Sequence, residues 1–252
     1  MYMYHHYEYR PMRIKCIVAY DGTLFHGWQI QPNVRSVQEE IQKALYKITH
    51  EEIVIHSSGR TDAHVHAHNQ VFHFDTSKAL PEKQWIRAIN HFLPEDVYIK
   101  DSFIVDESFH ARYSAVAKEY HYLLSTNEYD PFSRNYIYQY PYGKLDLKIM
   151  QEAAQVFIGE HDFGAYCVYD HLGTTTRTLY SFEIEENNGL FTFKLKGNGF
   201  RRYMVRHIVG GVIQVGAHRR DIAFLEDLLL HPNRKCLFKA EPQGLYLEHV
   251  FY

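Results

Sequence analysis

The stretch HSSGRTDAHVHAHNQ, residues 56–70, concentrates residue types that can do chemistry. It holds a single carboxylate, Asp62, two residues after Arg60. Three alternating histidines follow: His64, His66 and His68. A carboxylate in such a loop could act as a nucleophile. Histidines at every second position of a strand share one face and could bind zinc. The two interpretations predict different proteins.

The metal interpretation is the weaker of the two. A catalytic zinc needs an open coordination position and carboxylates that orient its histidines, and Asp62 and Asp75 are the nearest carboxylates along the chain. With 18 histidines present, alternation by chance is expected, and so are histidines on the surface or in structural hydrogen bonds. For Asp62, a turn cap is the alternative to a chemical role in a loop at a strand end.

Composition predicts a protein of the reducing cytoplasm that has no membrane partner. Three widely spaced cysteines, Cys16, Cys167 and Cys236, argue against a disulfide framework. The N-terminus lacks the apolar segment of a signal peptide, and IVGGVIQVG is too short to span a bilayer. The net charge of −3 is not that of a typical nucleic-acid binder, yet residues 201–221 carry five arginines.

Hydrophobic periodicity predicts two similar halves. In the first half we expect strands over 13–20, 52–57, 68–75 and 96–105, and helices over 36–48 and 81–93. In the second we expect strands over 118–125, 178–186, 190–197 and 245–252, with helices over 146–158, 200–215 and 222–230. A hairpin turn is expected at Asn187, Asn188 and Gly189.

The element order β-α-β-β-α-β is typical of the split βαβ, or ferredoxin-like, unit. We therefore predict an α+β fold of two ferredoxin-like halves whose antiparallel sheets meet to form a central cleft. The predicted division is a flexible N-terminal extension over 1–12, an N-terminal half over 13–105 that carries Asp62, and a C-terminal half over 106–252.

Several segments, in order, resemble the tRNA pseudouridine synthase A family. They are YDGTLFHGWQIQP (20–32), SGRTDAHVHAHNQVFHF (58–74), FHARYSAVAKEYHYLL (109–124), HDFGAY (161–166), GFRRYMVRHIVGGVIQVG (199–216) and AEPQGLYLEHVFY (240–252). The resemblance implies isomerisation of uridine to pseudouridine in RNA, without cofactor or metal. It also implies a homodimer acting on the anticodon stem-loop of tRNA.

The resemblance also assigns site residues. It makes Asp62 the essential aspartate, Tyr120 the active-site tyrosine and Arg206 the second active-site arginine. A buried Asp62 needs a facing guanidinium to stay ionised, and Arg206, on an otherwise apolar helix, is the expected partner. Tyr120 could stack on a flipped uracil or help to move the C5 proton. Asp62 could attack C6 of the uracil or C1′ of the ribose, and the sequence leaves both open.

The remaining arginines are expected to hold RNA. Arg60 could wedge into or grip the RNA, because a guanidinium both stacks and bridges phosphate oxygens. The expected phosphate contacts are Arg201, Arg202, Arg219 and Arg220. The chain departs from the family at His64, which stands where the family usually has glycine; there the imidazole could narrow the RNA path or contact phosphate.

Two other functions stay open at this point. One is a metal-dependent hydrolase that uses His64, His66 and His68. The other is an RNA-binding relative that has lost catalysis, perturbed by His64. The presence of Asp62, Tyr120 and Arg206 argues against such a loss.

Overall fold

The computed structural model describes residues 11–168 and 173–252 of the 252-residue chain. The predicted extension over 1–12 lies outside the described residues except for positions 11 and 12, and Met12 already begins the first strand. The helices are α1 (Val37–Thr49), α2 (Glu82–Phe92), α3 (Leu147–Gln155), α4 (Met204–Gly216) and α5 (Ile222–Leu230). None of the helices in the described ranges is long and apolar enough to cross a membrane.

The described residues also form ten strands: β1 (Met12–Tyr20), β2 (His56–Ser57), β3 (His66–Thr76), β4 (Val97–Val105), β5 (Ala117–Ser125), β6 (Tyr138–Gln139), β7 (Gly159–Asp162), β8 (Thr176–Asn187), β9 (Leu190–Gly197) and β10 (Leu245–Phe251). They form one sheet with the main order β4-β1-β3-β10-β5-β9-β8-β7. β2 pairs with β3, and β6 pairs with β5. The predicted α+β class is confirmed.

The C-terminal strand joins the first and second parts of the sheet. β10 runs antiparallel to β5 and pairs in parallel with β3 at only two residues, Tyr246 and Leu247. The two predicted sheets therefore meet edge to edge through β10. The division of the chain at residue 105 stays a prediction.

The helices form two layers, one of α1 and α2 and one of α3, α4 and α5, and both layers cover the same face of the sheet. Residues directly opposite each other in paired strands share a face, and one such row is Ala67, Leu247, Tyr120, Leu195 and Phe182. The ring of Phe182 contacts that of Phe157, just after α3, at 6.2 Å between centroids. In the first part, Phe74 of β3 packs edge-on against Trp85 of α2 at 5.3 Å.

The register of β1 connects these two observations. Tyr20 lies opposite Ala67 and Ile14 lies opposite Phe74. Tyr20 and Ile14 are six residues apart on one strand, so they point to the same face. Tyr120, in the middle of the row that runs from Ala67 to Phe182, therefore lies between the two helical layers.

Two predicted elements differ from the observed ones. Of the strand predicted over 52–57, only His56–Ser57 pairs in the sheet. Side chains of α1 satisfy the backbone of Ile55 instead: its N–H donates to Gln42 at 3.3 Å and its carbonyl accepts from Gln38 at 3.4 Å. The helix predicted from about residue 200 begins at Met204, because Tyr203 has a left-handed backbone with φ of 63°.

Two local predictions are confirmed. Ser36 caps α1 by accepting a hydrogen bond from the Glu39 N–H at 3.4 Å. The hairpin between β8 and β9 turns through Asn188 and Gly189, with φ of 50° and 80°. Two consecutive residues of positive φ are the geometry that tight hairpin turns require.

Candidate active site

The loop that carries Asp62 is fixed by hydrogen bonds to the segment that follows β1. The N–H of Trp28 donates to the carbonyl of Thr61 at 3.1 Å, and the N–H of His64 donates to the carbonyl of Phe25 at 3.1 Å. These bonds hold the backbone on both sides of Asp62. Its carboxyl is therefore presented by a rigid loop rather than by a flexible one.

Gly27 makes this close contact possible. Its φ is +91°, and a Cβ at this position would lie 2.7 Å from the Thr61 carbonyl oxygen. Only glycine tolerates both the backbone conformation and the approach. Beneath the loop, the hydroxyls of Tyr20 and Thr61 hydrogen-bond at 2.7 Å. The segment DGTLFHGW thus acts as the structural support of the RTD motif.

Asp62 faces Arg206 across the space between the two helical layers. Nη1 of Arg206 lies 3.9 Å from Oδ2 of Asp62, and the side chains of Arg206 and Asp62 are only 8% and 19% exposed, respectively. The distance is that of an ion pair and too long for a hydrogen bond. The Nε of Arg206 donates instead to the carbonyl of Ala240 at 2.8 Å. Arg206 therefore divides its donors between two elements and does not form the two-pronged contact typical of arginine with carboxylate.

Opposing effects act on the Asp62 carboxyl. Burial raises its pKa above the ordinary value, and the positive charges of Arg206, Arg202 and Lys239 lower it by less. The carboxyl is thus harder to ionise than one in water, yet it is surrounded by cations that favour its charged form. Such a balance is common among groups that do chemistry.

A tyrosine organises the cations around Asp62. The ring of Tyr203 lies 4.5 Å from Nζ of Lys239, 4.8 Å from the guanidinium carbon of Arg202 and 5.5 Å from that of Arg206. An aromatic face attracts each cation and keeps them close despite their mutual repulsion. Sequence reasoning missed Tyr203 and Lys239, because no motif spacing relates position 239 to Asp62. The only available sign was that Lys239 immediately precedes the matched segment AEPQG.

Tyr120 lies in β5 on the same face of the sheet. Its side chain is 8% exposed, and its ring meets that of Phe200 edge-on at 5.2 Å. Burial, with smaller contributions from Tyr20 and Asp62, raises the pKa of the Tyr120 hydroxyl. The phenol is therefore protonated at neutral pH. Within residues 11–168 and 173–252 the hydroxyl has no hydrogen-bond partner.

The other arginines named by the sequence are spread over the molecule. Arg60 and Arg202 are exposed near Asp62, and Arg202 donates to the hydroxyl of Tyr203 at 3.0 Å. Arg201 is partly buried beside them. Arg219 and Arg220 are exposed just past the far end of α4. The structure therefore does not bring the five arginines of residues 201–221 into one cluster.

His64 lies outside the strand that carries His66 and His68, so strand alternation does not relate all three histidines. β3 begins only at His66, and His64 precedes it with a left-handed backbone.

His66 and His68 both contact the ring of Tyr246, at 4.8 and 5.0 Å. His66 accepts from the Gly22 N–H and donates to the Asn135 carbonyl, both at 2.9 Å. His68 donates to Glu248 at 2.7 Å. Across the described ranges, no group of three His, Cys, Asp or Glu side chains has the arrangement of a metal site.

His64 occupies a position suited to glycine. Its φ is 65°, in the left-handed region that glycine adopts without cost. Its Nδ1 donates to the carbonyl of Thr23 at 2.9 Å, and this bond offsets part of the backbone strain. The imidazole also borders a cavity of about 460 Å³ that Arg134, Tyr138 and Gln139 help to line.

Comparison with known proteins identifies the family. A family model described as tRNA pseudouridine synthase matches residues 16–114 and 153–252. The tRNA pseudouridine synthase A 1 of Bacillus cereus is 46% identical over 244 residues, covering 95% of this chain and 98% of the relative. The tRNA pseudouridine synthase A of Anoxybacillus flavithermus is 43% identical, with the same two shares covered.

A solved structure titled "Crystal Structure of a Cbf5-Nop10-Gar1 Complex" is 17% identical, covering 79% of this chain and 54% of its own. Its TM-score of 0.31 is too low to inform the fold. The family model and the two relatives suffice, because the model matches well over half of the chain and both relatives align along nearly all of it. The chain belongs to the tRNA pseudouridine synthase A family.

Proposed function

We propose that this chain converts uridine to pseudouridine in tRNA and that Asp62 is the nucleophile. The observation that carries the proposal is the ion pair between the loop before β3 and α4, in a member of a family named for this reaction. A nucleophilic carboxylate must be ionised. Burial opposes ionisation of Asp62, and the charges of Arg206, Arg202 and Lys239 favour it.

The target nucleotide must leave its helical stack to reach Asp62. The isomerisation breaks the N-glycosidic bond, rotates the uracil and rejoins it through C5, and a stacked base has no room for this movement. Turning the nucleotide out costs a few kcal/mol, which contacts in the pocket must offset. Tyr120 and Phe200 supply aromatic surface beside Asp62 for a stacked uracil.

The protonated state of Tyr120 limits its role. Because its pKa is raised, a phenolate that removes the C5 proton is disfavoured in the free protein. We assign Tyr120 to stacking on the uracil and to hydrogen bonding through its hydroxyl. The attack of Asp62 on C6 or on C1′ involves the same carboxylate, and both alternatives remain compatible with the site.

The exposed arginines near Asp62 suit contacts to the RNA backbone. Arg60 precedes Asp62 by two residues on the rigid loop, so it is placed to fill the space of the extruded nucleotide or to hold a phosphate. Arg201 and Arg202 lie just before α4. We extend the proposal to the anticodon stem-loop as the substrate, to a homodimer as the working form and to the cytoplasm as its location. Three free, buried cysteines accord with that location.

Pseudouridine mapping of an unmodified tRNA transcript tests the proposal. Purified protein without any added metal or cofactor should convert anticodon-arm uridines, and tritium should leave C5 of labelled uridine at the same rate. A protein that binds the transcript but releases no tritium would be an RNA-binding relative without catalysis. Modification outside the anticodon arm would preserve the reaction and overturn the substrate assignment.

A further inference from the structure

A lysine lies directly beneath the loop that carries Asp62. Lys118 belongs to β5, two residues before Tyr120, and therefore points to the same face. Its Nζ donates to the carbonyl of Ser58. A Cβ on Gly59 would lie only 2.7 Å from that Nζ, so glycine leaves the space that the ammonium group occupies. Lys118 thus reaches the loop at Ser58 and Gly59, just before Asp62.

Two arginines approach Lys118 from other elements. Lys118 lies opposite Gly197 of β9, and Gly197 lies opposite Leu179 of β8, so all three share a face. Arg177, two residues before Leu179, points the same way, and its Nε lies 3.6 Å from where a Cβ on Gly199 would be. Arg112, in the segment before β5, is exposed, and its charge acts on Lys118.

Among the described residues, the charged groups that act on Lys118 are both cations. Burial, followed by the charges of Arg112 and Arg177, lowers the pKa of Lys118 to about 8. Burial, followed by the charge of Arg201, also lowers the pKa of Arg177. The groups directly around Lys118 on the loop, on β9 and on β10 are Ser58, Gly59, Gly197 and Val250, all uncharged.

Other arginines of the chain show what a structural role looks like. Arg13 forms a two-pronged contact with Asp75 at 2.7 Å, and Arg35 does so with Asp96 at 2.6 and 2.8 Å. Arg177 instead donates to the carbonyls of Thr174 and Thr176. A lysine that merely capped the Ser58 carbonyl would not need two more cations beside it. Mutual repulsion at this site opposes folding, so a bound anion is the simplest reason for the arrangement.

We propose that Lys118, Arg112 and Arg177 bind a phosphate group of the RNA backbone next to the uridine held at Asp62. This inference rests on the proposed function, since the RNA must lie along the same cleft. The carbonyl of Ser58 leaves two of the three ammonium protons of Lys118 for phosphate oxygens. The planar guanidinium of Arg177 can supply two parallel donors to the same group.

Equilibrium binding of a tRNA transcript to the Asp62→Asn protein tests the site without turnover. Lys118→Gln and Arg177→Gln should each weaken binding about tenfold, as expected for a charged hydrogen bond. Each should also reduce the slope of log affinity against log salt by about one unit. Lys194→Gln is the matched control, because Lys194 pairs with Glu185 on the opposite face and should leave both quantities unchanged.

The pH dependence of binding distinguishes a phosphate contact from a structural lysine. The ammonium form of Lys118 is lost as pH rises through its pKa of about 8 in the free protein. The affinity for the transcript should therefore fall as pH rises through about 8. Lys118→Arg keeps its charge and should remove this fall while it retains the salt slope. This variant and Arg177→Gln also keep the test valid if Lys118→Gln does not fold.

The outcomes separate this inference from the proposed function. Unchanged salt slopes in both glutamine variants, or the same pH dependence in Lys118→Arg as in the wild type, would overturn the phosphate site. Inorganic phosphate that binds the wild type but fails to compete with the transcript would assign the site to a free anion instead. Absent tritium release by the wild type would refute the isomerase proposal, even with altered slopes.

Discussion

The two ends of α4 carry the same residue type in opposite environments. At its start, Arg206 is 7% exposed and faces Asp62. Beyond its end, Arg219 and Arg220 are exposed, with their guanidinium carbons 5.0 Å from the ring of Tyr142 and 5.4 Å from that of Phe224. Thirteen residues of helix separate the ends by about 20 Å. One end therefore lies buried against Asp62, and the other lies on the surface.

The helix dipole sharpens this contrast. A cation in the first turn of a helix is unfavourable, because the N-terminal end already carries partial positive charge. The first turn of α4 has no acidic residue of its own. Asp62 supplies the missing negative charge from a loop far away in the sequence. From this difference we expect burial and partner, rather than residue type, to decide which arginine affects the reaction.

Asp62→Asn should have the largest effect. Turnover should vanish, while RNA affinity stays within about threefold, because one side chain contributes little to an interface dominated by phosphate contacts. Tritium release and filter binding measure the two quantities. Measurable pseudouridine formation by this variant would remove Asp62 as the nucleophile.

The same variant should not be less stable at neutral pH. Burial raises the pKa of Asp62 in the folded protein, so its charged form opposes folding above that pKa. The cost is absent below the ordinary pKa of an aspartate in the unfolded chain, about 3.9. Thermal unfolding of Asp62→Asn should therefore match or exceed wild type at neutral pH, and the gain should disappear in acid. A gain that persists in acid would have another cause.

Arg206 should rank next. Lysine retains the charge but cannot reach both the Ala240 carbonyl and Asp62, so Arg206→Lys should lose about 1–3 kcal/mol of transition-state stabilisation, or roughly 5- to 150-fold in rate. Arg206→Ala should lower the rate further, because it leaves the buried Asp62 without a facing guanidinium. Single-turnover rates measure both variants. Equal rates for lysine and wild type would show that the Ala240 contact has no role in positioning.

At the far end of α4, the effect should appear only in binding. Replacing Arg219 and Arg220 together with glutamine should flatten the salt slope of RNA affinity by about two units and leave the rate on saturating RNA unchanged. An affinity insensitive to salt would mean that this end of the helix does not meet RNA. A reduced saturating rate would erase the distinction between the two ends.

His64 should give the smallest effect. His64→Gly removes the strain of a φ of 65° and also the bond to the Thr23 carbonyl, so stability should change by less than about 1 kcal/mol and the rate by less than about twofold. His64→Ala loses the bond but keeps the strain, so it should be less stable than His64→Gly by about 1 kcal/mol. Denaturant unfolding compares the two, and equal stabilities would contradict this account of the backbone.

The sequence predicted the parts of the fold that depend on local pattern. The alternation in β1 and β3, the Ser36 cap and the Asn188–Gly189 turn are each determined within a few residues. Pairing between distant strands is not local, so the sequence could not show that β10 joins the two parts through two residues. It also could not show that side chains of α1 would replace sheet bonds at Ile55.

The site divides in the same way. Asp62, Tyr120 and Arg206 came from motifs, and their roles stay predictions. Lys118, Tyr203 and Lys239 came only from the structure, because their closeness to Asp62 or its loop depends on how four distant segments fold together. Alternation relates only His66 and His68, because β3 begins at His66 and alternation implies one face only when the strand includes every member.

The pH dependence of tritium release by wild type, Arg206→Lys and Arg206→Ala tests the central claim most directly. Activity needs ionised Asp62, so it rises with pH through the pKa of that carboxyl. Removing the Arg206 charge raises this pKa further, and the acid limb of Arg206→Ala should move to higher pH with partial recovery of rate. The acid limb of Arg206→Lys should move less, because lysine keeps the positive charge. An Arg206→Ala profile parallel to that of wild type would contradict the ion pair and return Arg206 to a contact with phosphate.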